Sequence, residues 1–159
     1  MNESHERTLI LLKPDVVQRG LIGPIITRFE QKGLKLVGLK MIQMDDALLA
    51  THYSHIVGRP FYPRLAEFMQ STPVVAVCWE GLDAVRVVRD HLVGNITNAR
   101  NDAPGTIRGD FGMSTQANLV HASESVSAAL EEVPRFFEVD ELHEYDRIID
   151  QFSYAPDEL

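Results

Sequence analysis

The chain has 159 residues, 45% of them hydrophobic and 24% charged. That balance excludes global disorder, a collagen-like repeat and a coiled coil, and it sets the expectation of one domain over residues 1–159. Acidic side chains outnumber basic ones 23 to 15, for a formal charge of −8, so neither nucleic acid nor an anionic membrane surface is favoured as a partner, and a site for a polyanion has to be a local cluster of cations.

Residues 1–6 are polar and charged and are expected to be flexible. The four apolar residues at 9–12 that follow them are too few for a signal peptide or a membrane span. Residues 8–12 form a β-prone run that Pro14 stops, which leaves Lys13 at a strand end. Leu21, Ile22, Ile25, Ile26 and Phe29 then recur at helical spacing and predict a helix over 21–32, with Gly33 as its stop. A strand over 34–42 follows, and Asp45 or Asp46 suits the cap of a helix reaching about residue 55. Leu65, Phe68 and Met69 share one face of a second short helix over 62–70. After Pro73 comes a strand over 74–79, then a helix over 82–92 with Leu82, Val85, Val88 and Leu92 on its apolar side. The strand holds the one cysteine, Cys78, so no intramolecular disulfide can form. A buried, inert thiol in a reducing compartment, the cytoplasm, is expected.

From 93 to 116 neither period is sustained, and Gly94, Gly105, Gly109 and Gly112 interrupt the chain. A loop of that length in a small domain is expected to be functional or disordered. A short strand over 117–121 and a helix starting near 123–125 complete the pattern, and residues 140–159 are read as a mixed, acidic tail with helical turns. The order contains two βαβ units without a linker. It fits a ferredoxin-like split βαβ fold of the α+β class, a four-stranded antiparallel sheet with helices on one face, and equally a small doubly wound parallel sheet. Pattern alone does not choose between them.

Several chemistries are excluded by what is missing. There is no Walker phosphate loop and no GxGxxG after a strand. There is no HExxH and no cysteine cluster. The pair His52 and His55 lacks a third ligand and reads as a solvent-facing helix surface. No GxSxG elbow supports a serine hydrolase. What remains is a set of segments that carry nucleophile, cation and backbone-donor character. His121 lies at a strand-to-helix junction amid hydroxyls and carboxylates, and imidazole, with an ordinary pKa of about 6.5, serves as nucleophile, base or ligand. Gly105, Arg108 and Gly109 combine permissive backbone with a guanidinium suited to phosphate oxygens. Lys13-Pro14-Asp15 sits at a strand end, and an aromatic next to an arginine, as in Arg59-Pro60-Phe61, could stack a base.

Taken together, Leu11-Leu12-Lys13-Pro14-Asp15, Gln18-Arg19-Gly20-Leu21-Ile22-Gly23, Arg28-Phe29-Glu30, Arg59-Pro60-Phe61, Trp79-Glu80-Gly81, the run from Pro104 to Phe111 and the run from Asn118 to Ser125 resemble the nucleoside diphosphate kinase family in order and nearly in spacing, over about residues 7–140. The resemblance implies the ferredoxin-like fold and an enzyme that moves the γ-phosphoryl group of a nucleoside triphosphate, ATP or GTP among others, onto a histidine and then onto a nucleoside diphosphate, in ping-pong fashion. By match to the family His121 is the nucleophile, Lys13 contacts the transferring phosphoryl, and Arg59, Thr97 and Arg108 hold the other phosphates with help from Arg89. Tyr53 sits beside the histidine and Glu132 accepts from its far nitrogen. Asn118 and Lys13 bond the sugar hydroxyl, and Phe61 stacks the base with Leu65 beneath it. Mg²⁺ is the implied cofactor. It is carried by the nucleotide phosphates, with no dedicated cage of protein ligands. A homohexamer is implied, a tetramer being the alternative.

The sequence departs from the family pattern at several points. Ala122 and Glu124 replace a usual glycine and aspartate beside the histidine, Ala99 replaces a proline where subunits meet, and Thr115 replaces an apolar base contact. The stretch between Arg89 and Pro104 is slightly longer than usual, which bears on the assignment of Thr97. These changes motivate an alternative, a catalytically weak nucleotide-binding regulatory member of the same fold. Nucleic-acid binding on the sheet is a third reading, which the acidic charge opposes.

Overall fold

The computed structural model describes residues 5–158. Four strands, β1 (His5–Leu12), β2 (Lys35–Ile42), β3 (Val74–Leu82) and β4 (Val120–Ala122), form one sheet in the order β2-β3-β1-β4, and every neighbouring pair is antiparallel. This is the ferredoxin-like arrangement. Two helical crossovers make it: α2 (Ile22–Lys32) joins β1 to β2, and α5 (Ala84–Val87), which widens into a π-helical turn at Val88–Val93, leads from β3 towards β4. The expectation of a regular helix over 82–92 is corrected at both ends, since Leu82 belongs to β3 and the last turns are π-helical.

Helices cover both faces of the sheet, not one. Ile10, Leu12, Val75, Val77 and Trp79 pack against Ile25 and Phe29 of α2 and Val88 of the π turn, and the Phe29 and Trp79 rings stack at 5.2 Å. On the other face Leu9, Leu11, Ala76 and Cys78 meet Leu49 of α3 (Asp46–His52), Met69 of α4 (Tyr62–Gln70) and Val133 and Phe136 of α7 (Val126–Phe136). The physical reason was already in the apolar run at 9–12, where successive residues point to opposite faces and all four are fully buried. Such a strand has no solvated side. Cys78 is fully buried, and burial pushes its thiol up to about 12.

Strands β1 and β3 both outrun their apolar cores. Residues 5 and 6, expected to be flexible, pair with Leu82 and Gly81; residues 1–4 lie outside the described residues. Here the ladder is continued by charge: Glu80 accepts from Arg7 Nε at 2.8 Å and from Lys35 Nζ at 3.1 Å, one partner on each neighbouring strand. Among the described residues no helix is long and apolar enough to cross a membrane.

The predicted loop at 93–116 contains a 3-10 turn (Ala99–Asn101) and a short helix, α6 (Ile107–Phe111). The Thr106 side chain caps α6 by accepting from Gly109 N–H at 3.0 Å. Another short helix, α1 (Pro14–Gln18), starts with a proline at its first position, where no N–H is needed. Both are too short for a hydrophobic period to show. The tail has the expected helical turns, a 3-10 turn at Val139–Glu141 and α8 (Asp150–Ser153).

Candidate active site

The register of the sheet decides where the chemistry sits. His121 pairs with Leu11, and residues opposed across antiparallel strands project to the same face, so its ring emerges among α3, α4 and α7. Glu132 on α7 meets it there: His121 Nε2 and Glu132 Oε2 are 2.9 Å apart. Ser123 Oγ donates to the same carboxylate oxygen at 2.9 Å and is itself fixed by Leu9 N–H at 3.2 Å. Burial works to raise the pKa of Glu132, but hydrogen bonds and charge from His121 and Ser123 outweigh it and hold the carboxyl below its ordinary range. An ionised acceptor places the proton of His121 on Nε2 and leaves a lone pair on Nδ1.

His52 at the end of α3 is the neighbour that sequence reading placed wrongly. It does not face solvent: it is 5% exposed and stands edge-on to His121 at 4.5 Å, with Tyr53 at 4.7 Å and Phe136 at 5.1 Å. His55 is the exposed member of that pair. Burial, with His121 close by, pulls the pKa of His52 down to about 3. Arg135 Nη1 donates to His52 Nδ1 at 3.3 Å, so the ring proton is on Nε2, which is buried without a partner. His52, His121 and Glu132 are close enough together to share a metal ion. With its Nδ1 lone pair taken by Arg135 and its Nε2 protonated, however, His52 offers no free lone pair to a cation.

Two cations line the same cleft as His121. Lys13, at the end of β1, is 8% exposed, and its Nζ donates to Asn118 Oδ1 at 2.6 Å. Burial, reinforced by Arg108 and opposed by Asp15, brings its pKa down to about 8. Asn118 in turn donates to the Thr97 carbonyl at 3.0 Å. Arg108, on the first turns of α6, donates to three carbonyls: Val120 at 2.8 Å, Gly94 at 3.2 Å and Asn118 at 3.3 Å. Burial and then Arg89 lower its pKa. None of these partners is a carboxylate, so the positive charge is positioned without being neutralised.

Lys13, Tyr53, Thr97, Arg108, Asn118 and His121 line both lobes of a continuous cleft. One lobe, of about 410 Å³, adds Phe61, Arg64, Leu65, Thr115 and Gln116; a space of this size suits a small-molecule ligand. Phe61 is 53% exposed at its mouth, an aromatic face in water. The other lobe, of about 430 Å³, adds Arg89, Glu124, Glu132 and Arg135. Arg89 donates to the Ala122 carbonyl at 3.1 Å. Burial, then Glu132, raises the pKa of Tyr53, so its phenol is neutral.

Of the eleven site residues that the resemblance implied, Lys13, Tyr53, Phe61, Leu65, Arg89, Thr97, Arg108, Asn118, His121 and Glu132 line the cleft and Arg59 does not. Arg59 is exposed, on a loop tied by its N–H to the Ile56 carbonyl at 2.9 Å.

 Asp15, in the Lys13-Pro14-Asp15 segment but not among the implied site residues, lies outside the cleft lining on α1, where its Oδ2 accepts from Leu119 N–H at 3.0 Å. Sequence reading missed His52 as a buried neighbour of His121, Ser123 as the second donor to Glu132, and Arg64 and Gln116 in the cleft wall. For Ser123 the signal was its place one residue beyond β4; the others became neighbours only through the fold.

The sequence profile described as nucleoside diphosphate kinase matches residues 6–142. The chain belongs to the nucleoside diphosphate kinase family. It is 51% identical to a nucleoside diphosphate kinase of Parabacteroides distasonis over 154 residues, covering 97% of this chain and 99% of that protein. It is also 51% identical to human nucleoside diphosphate kinase 3 over 139 residues, covering 87% and 81% respectively. Among solved structures, that of a halophilic nucleoside diphosphate kinase from Halobacterium salinarum in complex with CDP is similar with a TM-score of 0.90 and 46% identity, over 94% of this chain and 99% of that one. The family's ferredoxin-like sheet and the segments that carried the sequence resemblance thus coincide in one molecule.

Proposed function

We propose that the chain is a nucleoside diphosphate kinase that works through a phosphohistidine on His121. The observation that carries this reading is the bond from His121 Nε2 to an ionised Glu132, which leaves Nδ1 with its lone pair, on a residue that lines one cleft with the Lys13 and Arg108 cations. In the first half-reaction the Nδ1 lone pair attacks the γ-phosphorus of a nucleoside triphosphate. The bond from phosphorus to the β,γ-bridging oxygen breaks with its electron pair, and the nucleoside diphosphate leaves. A second nucleoside diphosphate then attacks the phosphoramidate with a β-phosphate oxygen, and the histidine is regenerated. The carrier has to be a high-energy species because the two anhydrides it links are nearly isoenergetic, and a phosphoramidate meets that need where a serine ester does not.

Phosphoryl transfer is mainly a matter of positioning and charge stabilisation. Lys13 serves the transferring group, Arg108, Arg89 and Thr97 the remaining phosphates, and Asn118 together with Lys13 the sugar hydroxyl. Tyr53 stands beside the nucleophile as a neutral donor. Phe61, exposed at the mouth, and Leu65 beneath it suit a stacked base, which is recognition that ignores base edges. Arg59 would have to swing in from solvent to join them.

The family's divalent-cation requirement is read here as Mg²⁺ carried by the nucleotide. The donor set fits an ion carried by the nucleotide: His52, His121 and Glu132 lie close together, but they are the nucleophile and its neighbours, His52 has no lone pair to give, and Mg²⁺ prefers oxygen to imidazole, so phosphate oxygens and water supply the ligands. When bound, the cation offsets phosphate charge. The same reading makes the 159 residues one domain of a cytoplasmic protein that assembles as a homohexamer, with a tetramer as the alternative.

The test is to mix the protein with γ-labelled ATP and Mg²⁺ without acceptor. Acid-labile, alkali-stable label on the chain is expected, discharged into GTP by added GDP and lost in His121→Ala. Label that persists in that variant overturns the assignment.

A further inference from the structure

Just before the nucleophile the chain makes a turn that few residues adopt. Leu119 has a φ of 75°, in the left-handed region that L side chains disfavour. Across it Val120 N–H donates to the Asn118 carbonyl at 2.9 Å, a three-residue γ-turn of the rare, strained form. The side chain of Leu119 is fully buried, so the conformation is imposed by its surroundings. Strain of this kind persists only where neighbouring contacts over-determine it.

Those contacts can be named. Lys13 N–H donates to the Leu119 carbonyl at 2.9 Å, which continues the ladder beyond the end of β1. The Leu119 N–H is held by a side chain: Asp15 Oδ2 accepts from it at 3.0 Å. Asp15 is carried by α1, whose first position is Pro14, and its other oxygen, Oδ1, is buried without a partner. A carboxylate left half-satisfied in a part-buried position is a poor stabilising device and calls for another explanation. The turn that it holds sets three groups of the cleft at once. The carbonyls of Asn118 and Val120, on either side of Leu119, both accept from Arg108; the Asn118 amide accepts from Lys13 Nζ; and His121 is the next residue along.

We propose that Asp15 is a positioning residue for phosphoryl transfer, which holds Leu119 in the γ-turn and thereby sets Asn118, Arg108 and His121 relative to one another. The proposal rests on the reading of His121 as the nucleophile. Asp15 touches no reacting atom. Without its acceptor the Leu119 peptide is free to relax towards negative φ, which turns the two carbonyls away from Arg108 and moves the root of the His121 side chain. An error of about 1 Å at a reacting group is enough for about a hundredfold loss in rate.

The experiment compares Asp15→Asn, Asp15→Glu and Asp15→Ala in the full chain. Two quantities are measured: the first-turnover rate of phosphohistidine formation from ATP and Mg²⁺, and hydrogen exchange at the Leu119 and Val120 amides, with the Cys78 amide in β3 as the internal reference. Asparagine keeps an acceptor at the same reach and loses the charge, whereas glutamate keeps the charge and moves the acceptor. We expect Asp15→Asn to stay close to the parent in both quantities. Asp15→Glu and Asp15→Ala are expected to lose about a hundredfold in rate together with protection at Leu119, the Cys78 amide being unchanged. A parental rate in Asp15→Glu, or an Asp15→Asn variant as slow as Asp15→Ala, overturns the proposal, because charge beside Lys13 and not the held turn would then be what matters. So does loss of Leu119 protection without loss of rate. Should Asp15→Ala fail to fold, the contrast between asparagine and glutamate decides alone. A parent chain that forms no phosphohistidine at all sinks the functional reading itself, which is a different result from any of these.

Discussion

Replacing Glu132 by glutamine tests the electrostatic half of the mechanism while leaving the size of the side chain unchanged. In the proposed mechanism the imidazole gains positive charge as Nδ1 bonds to phosphorus, and the carboxylate 2.9 Å from Nε2 offsets it. The glutamine amide oxygen still accepts from Nε2–H, so the tautomer survives, but a charge-assisted bond becomes a neutral one. The former contributes about 1.5–3 kcal/mol and the latter about 0.5–1.5. The two side chains are only 22% and 12% exposed, so solvent screens little of the difference. A loss of about 1–2 kcal/mol confined to the transition state corresponds to a phosphorylation rate about 5–30 times slower. Rapid-quench measurement of labelled phosphohistidine at saturating ATP reads it directly, with the nucleotide dissociation constant as control. A rate within about twofold of the parent in a folded variant, or a loss that falls on nucleotide affinity instead, refutes the reasoning.

The remaining predictions concern binding and stability. Lys13 has a pKa of about 8 in the folded chain, lowered from 10.5, so its charge is lost as pH rises through 8. The value of kcat/KM for nucleotide should fall above that pH, and Lys13→Arg should flatten the profile. The same shift means that the folded state holds the ammonium at a disadvantage, in full below pH 8 and relieved between 8 and 10.5. Lys13→Met should therefore stabilise the protein at pH 7, by at most about 3 kcal/mol, while abolishing turnover; chemical denaturation checks it. Phe61→Ala should raise KM several-fold for every base with little change in kcat, as stacking contributes about 1–3 kcal/mol per base. Thr106→Ala removes the cap of α6 and should lower stability by about 1 kcal/mol while raising KM through a looser Arg108, which steady-state kinetics will show.

What could be read from the sequence follows the length over which each pattern repeats. The helix over 21–32 and the strand over 34–42 carry enough apolar positions to declare themselves, and α2 and β2 lie within a residue or so of those bounds. Helices α1 and α6 are five residues each, less than two turns, and a period cannot be seen in so short a sample. β3 outran its expected end because Glu80, bonded to Arg7 and Lys35 on the neighbouring strands, and Gly81 interrupt the apolar run while the ladder continues to Leu82. The open choice between parallel and antiparallel sheets closed only with the strand order, which depends on pairings between residues more than sixty positions apart, such as Leu9 with Cys78. In the cleft, residues within motifs were legible because the motifs are contiguous. The burial of His52 was not, because it follows from α3 docking beside β4 and α7, which nothing within a few positions of His52 encodes.

Lys13 and Arg108 are gripped by an amide oxygen and by backbone carbonyls rather than by acids, and this shapes how the molecule meets its ligand. A protein of net charge −8 repels a polyphosphate at long range, yet the cleft presents undischarged cations once the ligand is within a Debye length, about 8 Å in physiological salt. Added salt therefore weakens two opposing forces, the distant repulsion and the local pull. The association rate should respond to ionic strength far less steeply than the number of cations in the cleft alone would suggest.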